Sequence, residues 1–329
     1  MLITTVSDFN FVLRATGAEA LQKPQEYRRR KEHGIQIAMQ NLRAGMVSTD
    51  PVSIAKFRAD FGEYVGDISL WGDVIDSYAM YILDFDGVVI DADRAQQFLE
   101  SPLSADINLA SGLTPAGALA LATRDGPLKL DGLRELTTAA ARALAIHRDN
   151  LRMNGVVGIT DETAAALGQH QGDWLSLDGL LELSAKSAAE LAKHRGGWLS
   201  LNGVRQLNEP AAAALAGYPG GLSLNGVTSL SEKACALLAK HSGGVLHLNG
   251  LTQLTDGCAA ALAKHRHKLH LGGVCELLPS AAQLLAKHSE DLHLNGLEQL
   301  SVGTAAALAT HKGKWLGLNN LIAISDEAA

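Results

Sequence analysis

Hydrophobic positions recur at a fixed spacing from Leu128 to the end of the chain. An apolar triplet with a polar middle residue, an Asn-Gly or Asp-Gly pair and two further apolar positions return every 23 or 24 residues. The units open with LKLDGLREL (128), LRMNGVVGI (151), LSLDGLLEL (175), LSLNGVRQL (199), LSLNGVTSL (222), LHLNGLTQL (246), LHLGGVCEL (269), LHLNGLEQL (292) and LGLNNLIAI (316). This self-similarity indicates a solenoid, in which each unit buries its apolar face only against its neighbours.

Each unit predicts one strand and one helix. In the strand, two leucines point inward and the residue between them points outward. The glycine after Asn or Asp, replaced by Asn320 in the last unit, predicts a backbone with positive φ. A polar N-cap then begins a helix of about ten residues, whose apolar face carries Ala or Cys and, three residues later, Leu. The predicted caps are Thr137, Thr160, Ser184, Asn208, Ser231, Thr255, Ser301 and Ser325.

A strand and a helix that alternate at this length, with leucines in the strand, resemble the leucine-rich repeat superfamily. The resemblance covers about Leu83 to the C-terminus. The chain departs from the common LxxLxLxxNxL form, because its Asn directly follows the second leucine, and this departure argues against the family's usual internal asparagine ladder. The resemblance implies an atypical, bacterial-style α/β solenoid: an arc with a parallel strand face on its concave side and helices on its convex side.

The chain divides into three regions. Residues 1–80 do not fit the repeat and predict amphipathic helices, which would form a helical N-terminal cap or a small domain. Residues 81–127 are degenerate repeats, and residues 128–329 are regular repeats of which the last is truncated. The ending a few residues into a helix predicts either a fragment of a longer protein or an uncapped edge that can self-associate.

The string YILDFDGVVIDAD, from Tyr81 to Asp93, resembles the first motif of the haloacid-dehalogenase phosphatases. In that family the first aspartate, here Asp84, is the nucleophile and the second, here Asp86, is a general acid/base. The string also aligns position by position with LSLDGLLEL of the unit at Leu175, with Asp91 near the helix cap. We interpret the string as a repeat unit, and we predict no catalytic residue.

Composition narrows the functional classes. The net charge of −7 and the pI near 5.9 argue against a general nucleic-acid or acidic-membrane binder. The sequence has no signal peptide and no apolar stretch near the ~18 residues of a membrane span, so we expect a cytoplasmic protein without cofactors. Cys235, Cys258 and Cys275 form no CxxC pair and no disulfide framework, which fits a reducing compartment.

Histidines form two columns along the repeats. In the first, a ring follows each helix, and we expect it to satisfy helix-terminal carbonyls. Its members are His147, His170, His194, Tyr218, His241, His265, His288 and His311. The second contains His247, His270 and His293, the outward residues of three consecutive strands, which are a weak metal candidate and could instead form a pH-sensitive surface or an ordinary polar one.

The variable outward positions predict a non-enzymatic scaffold that binds a macromolecule, most simply a protein, through its concave face. The tryptophans that precede three strands either add to this face or fill the arc where a loop lengthens. The alternatives are a targeting arm, whose active part lies in residues 1–80 or beyond the C-terminus, and a metal- or pH-responsive assembly module. The predicted binding residues are Lys129, Arg152, Trp174, Ser176, Trp198, Ser200, Ser223, His247, His270 and His293.

Overall fold

The computed structural model of the protein describes residues 89–100 and 110–325. The predictions for the helical region of residues 1–80, for the strand that would carry Asp84 and Asp86, and for a helix after Ser325 lie outside these ranges. Asp91 is described, and its Oδ1 accepts a hydrogen bond from the backbone N–H of Arg94 at 2.9 Å. The helix cap predicted near Asp91 is therefore present.

A short parallel strand opens each repeat from Leu128 onward, and two further pairs of short parallel strands lie outside the main sheet. The strands are β1 (Val89–Ile90), β2 (Gly112–Leu113), β3 (Leu128–Lys129), β4 (Leu151–Arg152), β5 (Trp174–Ser176), β6 (Trp198–Ser200), β7 (Gly221–Ser223), β8 (Leu246–His247), β9 (Leu269–His270), β10 (Asp291–His293), β11 (Gln299–Ser301), β12 (Trp315–Gly317) and β13 (Ala323–Ser325). Nine of them form one parallel sheet in the order β12-β10-β9-β8-β7-β6-β5-β4-β3, which does not close into a barrel. The repeating strand-helix arrangement is that of a solenoid.

A helix follows in each unit. The helices are α1 (Ala92–Glu100), α2 (Pro115–Leu121), α3 (Thr138–Leu144), α4 (Asp161–Leu167), α5 (Ala185–Leu191), α6 (Glu209–Leu215), α7 (Glu232–Leu238), α8 (Asp256–Leu262), α9 (Pro279–Leu285) and α10 (Val302–Leu308). From α2 onward each has seven residues, fewer than predicted, because the hydrogen bonds that follow the helix switch to a three-residue spacing, as from His147 N to Leu144 O. Among the helices described, none is long and apolar enough to cross a bilayer.

The predicted polar caps from Thr137 to Ser301 each accept a hydrogen bond from the backbone N–H three residues on, as Thr160 Oγ1 does from Thr163 N at 3.2 Å. Helix α9 differs: Leu278 holds the N-cap position without a side-chain hydrogen bond, and Pro279 begins the helix. Proline suits this position because its missing N–H would have no partner inside the helix.

The core runs the length of the sheet as one layer between strands and helices. In the unit at Trp174, Leu175 and Leu177 of the strand segment and Ala188 and Leu191 of α5 are all fully buried. Equivalent leucines lie side by side in register, as Leu175 and Leu199 do across β5 and β6. Each fully buried leucine stabilises the fold by about 1.5–3 kcal/mol.

The glycine of the Asn-Gly or Asp-Gly pair has a different role from the one predicted. Among the described residues only Gly126 and Gly244 have positive φ, so the prediction of a left-handed backbone at this position is wrong. The reason for glycine is a close approach between repeats. A Cβ on Gly226 would lie 2.0 Å from the carbonyl oxygen of Asn202, and one on Gly203 would lie 2.2 Å from that of Asp178.

Two of the cysteines form a disulfide, which the sequence analysis did not predict. Cys235 of α7 is bonded to Cys258 of α8, with their Cα atoms 5.3 Å apart. The two are not at equivalent positions, since the fourth residue of one helix packs against the third residue of the next. Disulfides persist in oxidising surroundings. The cysteines therefore do not support the prediction of a reducing compartment.

We expect reduction of this disulfide to lower the free energy of unfolding by about 3 kcal/mol, because it closes a loop of 23 residues. Urea unfolding with and without a reductant measures the difference, and Cys275→Ser, which removes an exposed free thiol, is the control. Three reactive thiols in the denatured, unreduced protein would contradict the pairing.

Candidate binding face

The open face is the side of the nine-stranded sheet that carries the side chains alternating with the buried leucines. Register pairs Lys129 with Arg152, Arg152 with Ser176, and so on across the sheet to His270 with His293. Trp174 and Trp198 begin their strands two residues before the serines and therefore lie on the same face. All ten residues predicted for binding are thus on one surface.

Aromatic and imidazole rings form a continuous band along the open face, which we call the ring row. Its first five rings, in successive contact, are Trp174, Trp198, His247, His270 and His293. Its sixth ring, Trp315, lies beyond His293, and both rings are close to Gly317. The centroid distances are 6.2 Å from Trp174 to Trp198, 5.1 Å from Trp198 to His247, 4.1 Å from His247 to His270 and 4.0 Å from His270 to His293. Trp174 and Trp315 are 46% and 56% exposed, so these indoles do not fill the core.

Two glycines let the indoles lie over the sheet. A Cβ on Gly221 would come within 2.5 Å of the Trp198 ring, so this indole covers Gly221 and extends across β7 toward His247. Gly317 has the same role at the other end. A Cβ there would lie 3.0 Å from Nδ1 of His293 and 3.3 Å from Nε1 of Trp315. This continuity was not predicted from the sequence, although the glycine that replaces tryptophan at the start of β7 is a visible signal of it.

The serines are on the predicted face, but they are not free for contact. Ser176, Ser200 and Ser223 are only 2–3% exposed. Their hydroxyls donate to side chains of the preceding repeat, as Ser200 Oγ does to Asp178 Oδ1 at 2.6 Å. The serines therefore form part of the floor of the open face.

The acceptors for the serines belong to a ladder of amide and carboxylate groups, which we call the amide ladder. Its members also accept backbone N–H groups of the next repeat, as Asn225 Oδ1 does from Asn249 N at 3.0 Å. The sequence analysis argued against an asparagine ladder, but one forms here at the Asn that follows the second leucine. The members are Asp131, Asn154, Asp178, Asn202, Asn225, Asn249 and Asn295.

The open face carries both paired and uncompensated charges. Lys129 is exposed, and the guanidinium of Arg152 is bonded to the carboxylate of Asp131. Beside the ring row, Lys268 lies 3.0 Å from Asp291. Ion pairs at such exposed positions contribute little to stability. Near the indoles, the carboxylates of Asp173 and Asp178 accept hydrogen bonds from Gly197 N and Ser200 Oγ but form no ion pair with a described cation, so the charge beside the indoles is negative.

The three histidines of the ring row are neutral at pH 7. Burial, followed by the neighbouring imidazoles of His247 and His293, lowers the pKa of His270 to about 4. Burial also lowers the pKa of His247 and of His293. The planes of His270 and His293 are within 12° of parallel, so their lone pairs point side by side instead of converging on one ion. Among the described residues no group of three or more His, Cys, Asp or Glu side chains is arranged to hold a metal ion.

The other histidine column is buried inside the repeats, and we call it the buried ring column. From His147 to His288, including Tyr218, successive rings stack with centroids 5.5–6.5 Å apart. Most of these rings bond to a carbonyl of the preceding repeat, as His194 Nδ1 does to His170 O at 3.1 Å and Tyr218 Oη to Gly196 O at 2.8 Å. His170 and His288 differ, because both of their ring nitrogens are buried without a hydrogen-bond partner in the described part of the chain. The predicted bonding to carbonyls is present, but it crosses between repeats. Burial lowers the pKa of His170 and His265 to about 4, so these rings are neutral.

The chain was compared with protein families and with curated proteins. No family model matches it, and no curated protein matches it.

Proposed function

We propose that this chain is a non-enzymatic binding scaffold of the leucine-rich repeat superfamily, whose open face is the concave side of an arc and recognises a protein partner. The single observation that carries the proposal is the ring row: six rings from separate repeats lie on one face, five of them in successive ring contact, and two of the indoles are about half exposed. The amide ladder beneath it supports the family assignment, because it links each repeat to the next.

A surface of this composition is typical of protein interfaces. Aromatic side chains are enriched at the centre of interfaces, where they are flat, rigid and largely apolar. The ring row also has fixed neighbours at its tryptophan end, since the serines of β5, β6 and β7 are hydrogen-bonded to the amide ladder. A partner would therefore meet a preorganised surface and would lose little affinity to the ordering of side chains.

The test is a comparison of partners captured by the wild-type chain and by a variant with His247→Ser, His270→Ser and His293→Ser. Serine occupies the equivalent positions of β5, β6 and β7, so we expect the variant to fold. Because central ring contacts contribute more than about 1 kcal/mol each, we expect affinity for the partner to fall at least about tenfold.

The matched control is Leu119→Ser in α2, which changes a side chain that is 52% exposed on the helix side. It should capture the same proteins as the wild-type chain, with circular dichroism showing that all three proteins are folded. Equal capture by the wild-type chain and the histidine variant would refute the proposal.

A further inference from the structure

The open face combines unused hydrogen-bond donors with a floor that is already satisfied. In the part of the chain that the structure describes, the indole N–H groups of Trp174, Trp198 and Trp315 donate no hydrogen bond within the protein, and the ring nitrogens of the three ring-row histidines have no protein partner either. An indole is a donor only, and a neutral imidazole has one donor and one acceptor nitrogen. The serine hydroxyls below are engaged with the amide ladder. The face therefore presents flat rings and more donors than acceptors.

We propose that the occupant of the ring row is a proline-rich segment of the partner, extended in the polyproline II conformation and lying across the strands. This inference rests on the proposed function and names the chemistry of the partner. Proline rings are compact and apolar, so they can pack on the exposed indoles and along the edges of the stacked imidazoles. Proline has no N–H, while the carbonyls of a polyproline II segment point outward and accept hydrogen bonds. Such a segment needs donors and few acceptors, which is what the ring row offers.

The spacing of the strands matches such a segment. Polyproline II rises about 3.1 Å per residue with three residues per turn, which is about 9.3 Å per turn. Neighbouring strands lie about 4.8 Å apart, so every second strand lies about 9.6 Å from the first. The ring row extends over seven strands, from β5 to β12, which corresponds to about 29 Å. About nine residues of polyproline II cover that length.

Charge and hydrogen bonding favour this occupant over a sugar chain or an acidic peptide. The ring-row histidines carry no charge at neutral pH, and Lys268 is paired with Asp291. An anionic segment would find no unpaired cation beside the rings among the described residues, because the uncompensated groups there are the carboxylates of Asp173 and Asp178. Each unit of an oligosaccharide brings several hydroxyls that need acceptors as well as donors, and the serines and the amide ladder beneath the ring row already bond to each other.

The experiment titrates a ten-residue polyproline peptide into the full chain and follows tryptophan fluorescence and calorimetric heat. We expect saturable binding, and no binding of a Gly-Ser peptide of the same length. Trp198→Ala should weaken the affinity at least tenfold, because this indole joins the tryptophan and histidine parts of the ring row. Gly221→Val should weaken it as well, since its Cβ would collide with the Trp198 ring and lift the indole. Leu119→Ser should bind as the wild-type chain does.

Each outcome bears on the proposal. Absence of polyproline binding, or binding that Trp198→Ala leaves unchanged, would overturn it. Binding of a neutral hexasaccharide that depends on Trp198, without polyproline binding, would replace the peptide with a glycan. If partner capture depends on His247, His270 and His293 but the polyproline peptide does not bind, the scaffold proposal stands and only the proline-rich occupant is rejected.

Discussion

Acidification from pH 6.5 toward pH 4 is expected to unfold this protein steeply, because the buried ring column cannot accept protons. The pKa of His170 and that of His265 fall from the ordinary 6.5 to about 4 in the folded chain. The unfolded chain therefore takes up protons below pH 6.5, while the folded chain does not do so until about pH 4. Each of the two rings contributes about 3 kcal/mol of stability above pH 6.5 that is lost by pH 4.

Neighbouring rings add to the effect. Burial also lowers the pKa of His194, His241 and His288. The stacked arrangement would place positive charges on imidazoles that lie 5.5–6.4 Å apart, and like charges at this distance repel.

Tyrosine already occupies one position of the buried ring column, at Tyr218, so histidine-to-tyrosine variants can test this prediction. Tyr218 stacks between His194 and His241 and donates its hydroxyl to a carbonyl of the preceding repeat, and burial raises its pKa above the usual value. In the double variant His170→Tyr and His265→Tyr, two fewer side chains take up a proton on unfolding. We therefore expect the free energy of unfolding, measured with urea between pH 7 and pH 4.5, to depend on pH with a slope that is smaller by about two protons. Tyr218→His should change the slope in the opposite direction. Parallel curves for all of these proteins would show that the column does not control acid stability.

The second large effect is expected from Gly226→Ala. The new Cβ would lie 2.0 Å from the carbonyl oxygen of Asn202 and 2.9 Å from that of Val204. Both atoms belong to the backbone of the preceding repeat, so a side-chain rotation cannot relieve the contact and the two repeats must separate. We expect the free energy of unfolding to fall by about 3 kcal/mol, the upper end of the usual cost of overpacking. Because a solenoid is held together by contacts between neighbours, urea unfolding should also become less cooperative.

The control is Gly158→Ala. Gly158 has no atom within 4 Å of the added Cβ and does not have positive φ. Alanine there should be neutral or should stabilise the fold by up to about 1 kcal/mol, because it restricts the unfolded chain. An equal loss of stability in both variants would mean that the glycine column is not required for the packing of repeats.

The periodic features of the sequence predicted the architecture well. The inward leucines, the polar caps and the parallel strand-helix order follow from patterns within a single repeat, which local sequence can express. The features that were missed depend on contacts between repeats. Three of them involve atoms 22 to 24 residues apart: the close approach at Gly226, the bond between Cys235 and Cys258, and the burial of Ser200.

The candidate binding face was predicted only in part, because its missed features also depend on contacts between repeats. Alternation along a strand places Trp198 and Ser200 on one side, and this register was read correctly. The exposure of each residue was not predictable, because it depends on neighbours in the sheet. Trp198 extends over a glycine of the next strand, whereas Ser200 is covered and bonded to Asp178.

Radical footprinting of the chain with its captured partner tests the central claim most directly. If the open face is the binding surface, oxidation of Trp174, Trp198 and Trp315 should fall on partner binding, while Leu119 and Ile146, exposed on or beside the helices, should be oxidised as before. Protection of Leu119 and Ile146 with unchanged oxidation of the tryptophans would contradict the account.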